Sequence, residues 1–564
     1  MFSVNVIVTL SVPLLTAIGY GLYCGYQHRS KINELRKQGV AMPEWNWITG
    51  HLLLLGKYLD PLPSNAFVQL AMQDLSLEWG ETEVFLMDVW PIFPAYYVVY
   101  DPQTAVQVST KLNLPKTSNH LKFMLPIVGG PNIHSMMGSE WKSWRAIFNP
   151  GFSANSMTDL MPAVIDSVQV FADILRENVG SGIIKLDELT TRLTMEVILK
   201  VTLDMDSGHQ RSEHEISRAL KRITAWHSFW DPRVLANPIR PFIQKYYGSV
   251  MNRIIQKELR QRFQEIKENN NNSNEKSLEK NSKRAKSVIT LALEAYLADP
   301  LFNNNGISTD TLDDHFASYA SYQIRLFLFA GNDTTSSSIL YVYHMLFKHP
   351  EIMTKVKEEH DRIFGTDPST AGDLLKNDPS LLNQCLLTVA VIKETLRMFP
   401  PASTNRGGQE GTHLTDRHGN VYPTDYVGAS ILHQAAHYNP RVWPRVNEFL
   451  PERWLVEKDH ELYPDPGAWR PFEQGPRNCI GQTLVWNEMR VVLVMTLRTF
   501  KIEPAYDEYD VIRKQSEGSF TKLGRWAGIV KDGPKTVHGE RAYQTEEAGG
   551  HPADGYPCRI SLAS

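Results

Sequence analysis

The chain has 564 residues, 42% of them hydrophobic and 21% charged, with a formal net charge of -4. That balance can bury a large core, which excludes a wholly disordered chain or a multi-span membrane protein, and near-neutrality gives no electrostatic footing for nucleic acid. The four cysteines, Cys24, Cys385, Cys479 and Cys558, are scattered without a CxxC pair, which excludes a disulfide scaffold or a cysteine-rich zinc site and suits a reducing compartment.

The opening stretch MFSVNVIVTLSVPLLTAIGYGLYCGY carries no charged side chain and is followed by Arg29, Lys31, Arg36 and Lys37. A helix of ~20 apolar residues crosses a bilayer core, and basic residues behind it keep the rest of the chain cytoplasmic. A cleaved signal would place its charge in front. Residues 1–28 are therefore expected to form a single-pass anchor, with attachment to the membrane surface as the other reading. A basic, proline-containing linker is expected over 29–50, then one folded body over 51–564.

Within the body, strand signals gather at EVFLMDVWPIFPAYYVVYD and at GTHLTDRHGNVYPTDYVGASIL, where Gly419 and Asn420 suit a hairpin turn. Stretches such as SMTDLMPAVIDSVQVFADILRENV and HPEIMTKVKEEHDRIF return apolar residues at helical spacing, so the fold class is mainly α with minor β. The polar run at 267–286 cannot bury enough apolar area to offset its ordering entropy and is expected to be a mobile loop. Sequons occur at Asn271 and Asn332, which a cytoplasmic body would not present for glycosylation. The segment YQIRLFLFAGNDTTSSSILYVYHMLF is predicted to be a long apolar helix interrupted by Gly331, Asn332, Asp333, Thr334 and Thr335. Polar groups inside a buried helix are costly unless satisfied, and threonine bonding back to a carbonyl is the ordinary way to satisfy and bend it.

Cys479 stands in RPFEQGPRNCIGQ among glycine, proline and arginine. A free cysteine is ordinarily a small buried hydrophobe. Gly475 and Gly481 instead permit a tight turn and close approach by a flat group, and Arg477 favours a thiolate. The helical pattern QTLVWNEMRVVLVMTLRTF directly behind would aim its positive end at the sulfur, as suits an axial ligand of a large planar cofactor.

The spacing of Phe472, Gly475, Arg477, Cys479 and Gly481 resembles the haem-binding signature of cytochrome P450 enzymes. The resemblance extends over about residues 40 to 564 and implies the P450 fold, a large helical haem domain with a small β-sheet region. By that resemblance Cys479 is the proximal iron ligand, Phe472 packs beneath the porphyrin and Arg477 meets a propionate. Ala330 and Gly331 would leave room for dioxygen, while Asp333 and Thr334 relay protons. Trp141 and Arg145 in EWKSWR, four apart on one helical face, and Arg406 in PPASTNR would contact haem carboxylates. Glu394 and Arg397 in KETLRMFPP and Arg453 in NEFLPERW would form a buried structural network, although taken alone the first two suit an ordinary solvated pair.

The implied cofactor is haem b, with NADPH entering through a membrane-bound cytochrome P450 reductase, because no GxGxxG follows a strand in this chain. Lys142 is a candidate docking charge for that partner. Membrane lipid, dioxygen and a lipophilic small molecule complete the expected partners, at the endoplasmic reticulum with a cytosolic body. The pocket is expected to be lined by residues 115–135, by Leu328, Phe329 and Ala330, and by PPAST. The expected activity is monooxygenation of a fungal secondary metabolite such as an aromatic polyketide. The alternatives are a fatty-acid or terpenoid hydroxylase, a thiolate-haem isomerase or dehydratase, or a haem carrier without turnover.

Overall fold

The computed structural model describes residues 4–80, 82–228, 232–271, 286–298, 311–516, 535–547 and 549–563. Helix α1, Val4–Lys37, runs without a break through both the uncharged stretch and the basic residues behind it. Among the described residues no helix is long and apolar enough to cross a membrane. Gly19, Gly21, Gly25 and Thr16 dilute the hydrophobic run, so the spanning expectation is not carried by the fold. The end of α1 is fixed to the body: buried Arg29 pairs with Asp88, and His28 bonds the same carboxylate at 2.8 Å. Burial alone would raise Asp88; the bonds from His28 and Trp45 and the Arg29 charge outweigh it and bring the carboxyl down to about 2.

The sheet signals resolve as expected and extend further. Strands β1 (Val84–Met87) and β2 (Tyr96–Val99) are antiparallel, with Val84 opposite Val99. A two-residue strand, β3 (Ile184–Lys185), precedes β4 (Thr404–Arg406), β5 (His413–Thr415), β6 (Val421–Pro423) and β7 (Gly428–Ile431). The β5–β6 hairpin turns at Gly419, whose φ of 84° suits glycine. Strand β7 lies parallel to β2 and antiparallel to β4, giving a four-stranded sheet in the order β1-β2-β7-β4. Near the carboxyl end β8 (Phe500–Pro504) and β9 (Pro557–Leu562) pair, and β3 adds to β9.

Most of the body is helical. Helix α2 spans Gly138–Phe148, α3 Met161–Glu177, α4 Leu186–Leu203 and α5 Arg240–Asn271. Helix α5 covers the first residues of the expected loop at 267–286, running to Asn271; residues 272–285 lie outside the described residues. Helix α6, Asp314–Lys348, is the longest among the described residues and packs most extensively against α4. It starts where Asp313 accepts a bond from the Phe316 N–H at 2.8 Å and stops before Pro350, whose ring disfavours helical backbone in the preceding residue. Its polar centre does not interrupt it. Thr334, Ser337 and Ser338 bond back to carbonyls within the helix, and Asn332 accepts from Thr194 of α4 at 2.8 Å. Asn332 is buried, so its sequon is closed in the folded chain. Helices α7 (Pro350–Phe364), α8 (Leu386–Met398) and α9 (Gln482–Thr496) complete the frame.

Candidate functional site

The Cys479 loop is built by short bonds. The Cys479 N–H donates to the Phe472 carbonyl at 2.9 Å and the Asn478 N–H to the Gly475 carbonyl at 3.1 Å. Gly475 sits at φ 82° with its α-carbon against the turn at Ser109 and Thr110; a Cβ there would come within 2.7 Å of the Ser109 carbonyl. Gly481 is different: a Cβ on it would meet nothing within 4 Å. It immediately precedes α9, and its backbone bond to Cys479 favours the thiolate.

Cys479 is exposed, yet it lies deep enough that burial pushes its thiol pKa up against the Gly481 bond and the Arg145 charge. A side chain that is deep and also uncovered faces an internal space. Ala330 tells the same story from α6: it is exposed although Leu326, Phe327, Leu328 and Asn332 around it are buried. Thr334, one turn on, is partly open and donates to the Ala330 carbonyl at 2.8 Å. Gly331 departs from its expected place, because a Cβ there would meet Ile198 of α4 at 3.0 Å; its lack of a side chain serves the helix contact. The Arg145 charge acts on the sulfur and favours the thiolate.

Arg145 spends its nitrogens on structure, giving Nε to Asn149 at 2.8 Å and two further bonds to Asn478, which fasten the loop to α2. Trp141, on the same helix, lies with its ring 4.5 Å from the Arg477 guanidinium. Trp144 is buried in a stack with Phe148 and Phe316. Phe472 packs against Trp469 and Trp486.

Three cations converge near this loop. Arg406 ends β4, is 1% exposed, and bonds the Leu114 carbonyl through Nη1, while its Nε and Nη2 have no acceptor. Arg477 bonds the Met136 carbonyl through Nη2 and leaves Nη1 buried without one. Lys116, which sequence reasoning did not single out, is pulled down to about 7 by burial and by the charges of Arg406 and Arg477. Burial and the nearby Arg406 and Arg145 charges bring Arg477 down to about 10. Glu473 is the anion felt by Arg406, but it is already held by Arg470 and His433. Each buried N–H without an acceptor costs roughly 1–3 kcal/mol, so the donor set fits an anionic group between these residues. Haem, with its two carboxylates beside a cysteine-ligated iron, matches that demand.

The network around Glu394 carries its own carboxylate by comparison. Glu394 Oε1 accepts from Arg397 at 2.9 Å, Arg453 at 3.0 Å and the Leu450 N–H at 3.2 Å, and Oε2 accepts from Trp454 at 3.1 Å. All three charged side chains have 0% exposure, so the solvated-pair alternative does not describe them.

A separate cavity of about 820 Å³ is lined by Trp90, Phe123, Leu125, Arg240, Lys245 and Arg325 among others, and Cys479, Ala330 and Thr334 are not in its walls. Asp333 points elsewhere again, to His551, at 3.3 Å.

The Cytochrome P450 family profile matches residues 41–523. The chain is 36% identical over 562 residues to Cytochrome P450 monooxygenase polC of Polytolypa hystricis, covering 98% of this chain and 95% of that one. It is 29% identical over 520 residues to Cytochrome P450 monooxygenase acrF of Aspergillus aculeatus, covering 88% and 98%. Cytochrome P450 3A16 of Mus musculus is 24% identical over 511 residues, covering 89% and 93%. With the cysteine loop, the converging cations and the family match in place, the chain belongs to the cytochrome P450 family, whose cofactor is haem held through a cysteine thiolate.

Proposed function

We propose that the protein is a haem-thiolate monooxygenase in which Cys479 holds the iron. The observation that carries this is a deep, uncovered cysteine beside two arginines, Arg406 and Arg477, that keep buried N–H groups and bond no carboxylate. When bound, haem supplies oxygen activation, using two electrons delivered singly so that one oxygen atom enters the substrate and the other leaves as water.

The remaining roles belong to the chain. Gly481 and the amino end of α9 support negative charge on the Cys479 sulfur, and Arg145 holds the loop in register through Asn478. Arg406, Arg477 and Lys116 would bind the haem carboxylates, with Trp141 stacked on Arg477 to fix its plane. Phe472, backed by Trp486, would pack against the macrocycle. Ala330 would leave space for dioxygen, and Thr334 and Asp333 would pass protons to it. Glu394, Arg397 and Arg453 hold the fold.

The substrate is a lipophilic small molecule of fungal secondary metabolism, reaching the iron from the cavity walled by Trp90, Phe123 and Leu125. The monooxygenase names of the fungal relatives support this class, and an aromatic polyketide is the member the sequence resemblance indicates. Electrons come from an NADPH-dependent reductase, with exposed Lys142 of α2 at the docking face. Helix α1 attaches the body to lipid through Leu15, Ile18, Leu22 and Tyr23, all exposed, at the endoplasmic reticulum with the body cytosolic.

Reduced protein under carbon monoxide is expected to show the red-shifted Soret band of thiolate ligation, and reductase should then drive NADPH oxidation. A Cys479→Ser protein that keeps that band and that activity would end the proposal.

A further inference from the structure

Residues 544–547 and 549–551 form a short strap beside α6. It is bonded in place by Ser337, whose hydroxyl donates to the Gly549 carbonyl at 2.8 Å, and by Thr545, which donates to the His551 carbonyl at 2.8 Å. Gly549 is pressed against the Asp333 backbone, where a Cβ would lie 2.7 Å from the carbonyl oxygen.

His551 is 4% exposed and stands between two carboxylates. Nδ1 lies 2.6 Å from Asp187 Oδ1, near the start of α4, and Nε2 lies 3.3 Å from Asp333 Oδ1, on α6. A neutral imidazole has one N–H and satisfies one acceptor; only the doubly protonated ring donates to both. The groups facing it are Asp187, Asp333 and, from its own strap, Glu547, whose side chain is exposed although its carboxyl is deep enough that burial raises its pKa, and which feels the Lys185 charge. Three carboxylates around one imidazole leave an excess of negative charge, which holds an additional proton in the cluster. Burial raises the Asp333 pKa in spite of His551, and burial lowers His551 while Asp187 and Asp333 more than reverse it. The ring thus bridges Asp333 and Asp187, and Glu547 is the exposed carboxylate whose charge the same cluster feels.

We propose that this strap is the proton-entry route to Asp333, with Asp187 as the positioning residue that fixes His551 and Glu547 as the point of access. This rests on the role given to Asp333 under Proposed function. The transfer balances without electrons. Asp333 releases its proton toward Thr334, the His551 Nε2–H replaces it, and water at Glu547 restores the Nε2 proton while Nδ1 stays bonded to Asp187.

The test uses full-length holoprotein with an NADPH-dependent reductase and no added substrate. His551→Gln and Asp187→Asn are expected to lower NADPH oxidation by about 10- to 100-fold, as removal of a partner behind a working group does. Their pH profiles should move and their slowing in deuterium oxide should grow. Glu547→Gln, at the surface, keeps the question open to decision if the buried variants do not fold, and it should show the same isotope effect in smaller measure. Histidine NMR of the carbon monoxide form, with the His551→Gln spectrum subtracted, should find His551 titrating above the ordinary imidazole range. Variants that lose thermal stability but keep the unsubstituted pH profile and isotope effect, or a His551 that is neutral at pH 7, would overturn the proposal. Failure of the haem-thiolate reading appears elsewhere, as absence of the thiolate-type carbon monoxide band in the unsubstituted protein, and leaves the His551 titration to be judged by itself.

Discussion

Arg397 and Arg453 share the carboxylate of Glu394, whereas Arg406 and Arg477 bond only the carbonyls of Leu114 and Met136. All four keep a buried N–H without an acceptor, so open donors by themselves distinguish neither cluster. What separates them is the anion. A network that supplies its own counter-charge belongs to the fold, and cations gathered without a bonded carboxylate are shaped for something the chain does not contain.

Substitutions can break that contrast. Cys479→Ser should have the largest effect, abolishing the thiolate-type carbon monoxide spectrum and reductase-driven turnover while leaving the fold, since Cys479 is uncovered. Glu394→Gln should destabilise by about 3–5 kcal/mol, because two arginines are left with one neutral acceptor at a fully buried site; urea unfolding and expression yield report it. Arg406→Gln should do the reverse of this, costing little stability in protein prepared without haem but lowering haem retention, measured as haem per chain after gel filtration. If Arg406→Gln unfolds the protein as Glu394→Gln does, the distinction between the clusters fails.

The smallest effect concerns pH. Lys116 has a folded value of about 7 against an ordinary 10.5, so between these pH values the unfolded chain holds a proton that the fold has released. Stability of haem-free protein should therefore rise with pH across that window, and the penalty should be complete below it. Lys116→Met should flatten the rise in urea midpoints, and occupancy by haem should remove it, because carboxylates favour the charged lysine.

The sequence showed one cluster more readily than the other for a geometric reason. Cys479, Arg477, Gly475 and Phe472 lie within one loop, so their pattern is contiguous and their chemistry legible. Glu394 and Arg397 were legible as a helical pair, but their burial depends on Arg453 and Trp454, brought in from 59 and 60 residues away. Nothing local marks Lys116 as a cation with a lowered pKa, since Arg406 comes beside it through a bond to the Leu114 carbonyl, 292 residues away in the chain. His551 and Asp187 are 364 residues apart in the chain, and no spacing rule joins them. In the same way the β5–β6 hairpin was announced by Gly419, while β3, two residues long, exists only because β9 lies beside it. The unbroken course of α6 was hidden because its polar residues find partners inside the helix and on α4.

Trp90 links the leading helix to the cavity. Its ring stacks on His28 at 5.6 Å, its carbonyl accepts from Arg29 at 3.0 Å, and it also forms part of the 820 Å³ cavity wall. The body therefore hangs from α1 as on a fixed bracket, not a swivel. Wherever that helix is seated, the mouth of the cavity opens next to the seat, and a molecule dissolved in the same surroundings as α1 has the shortest path inside.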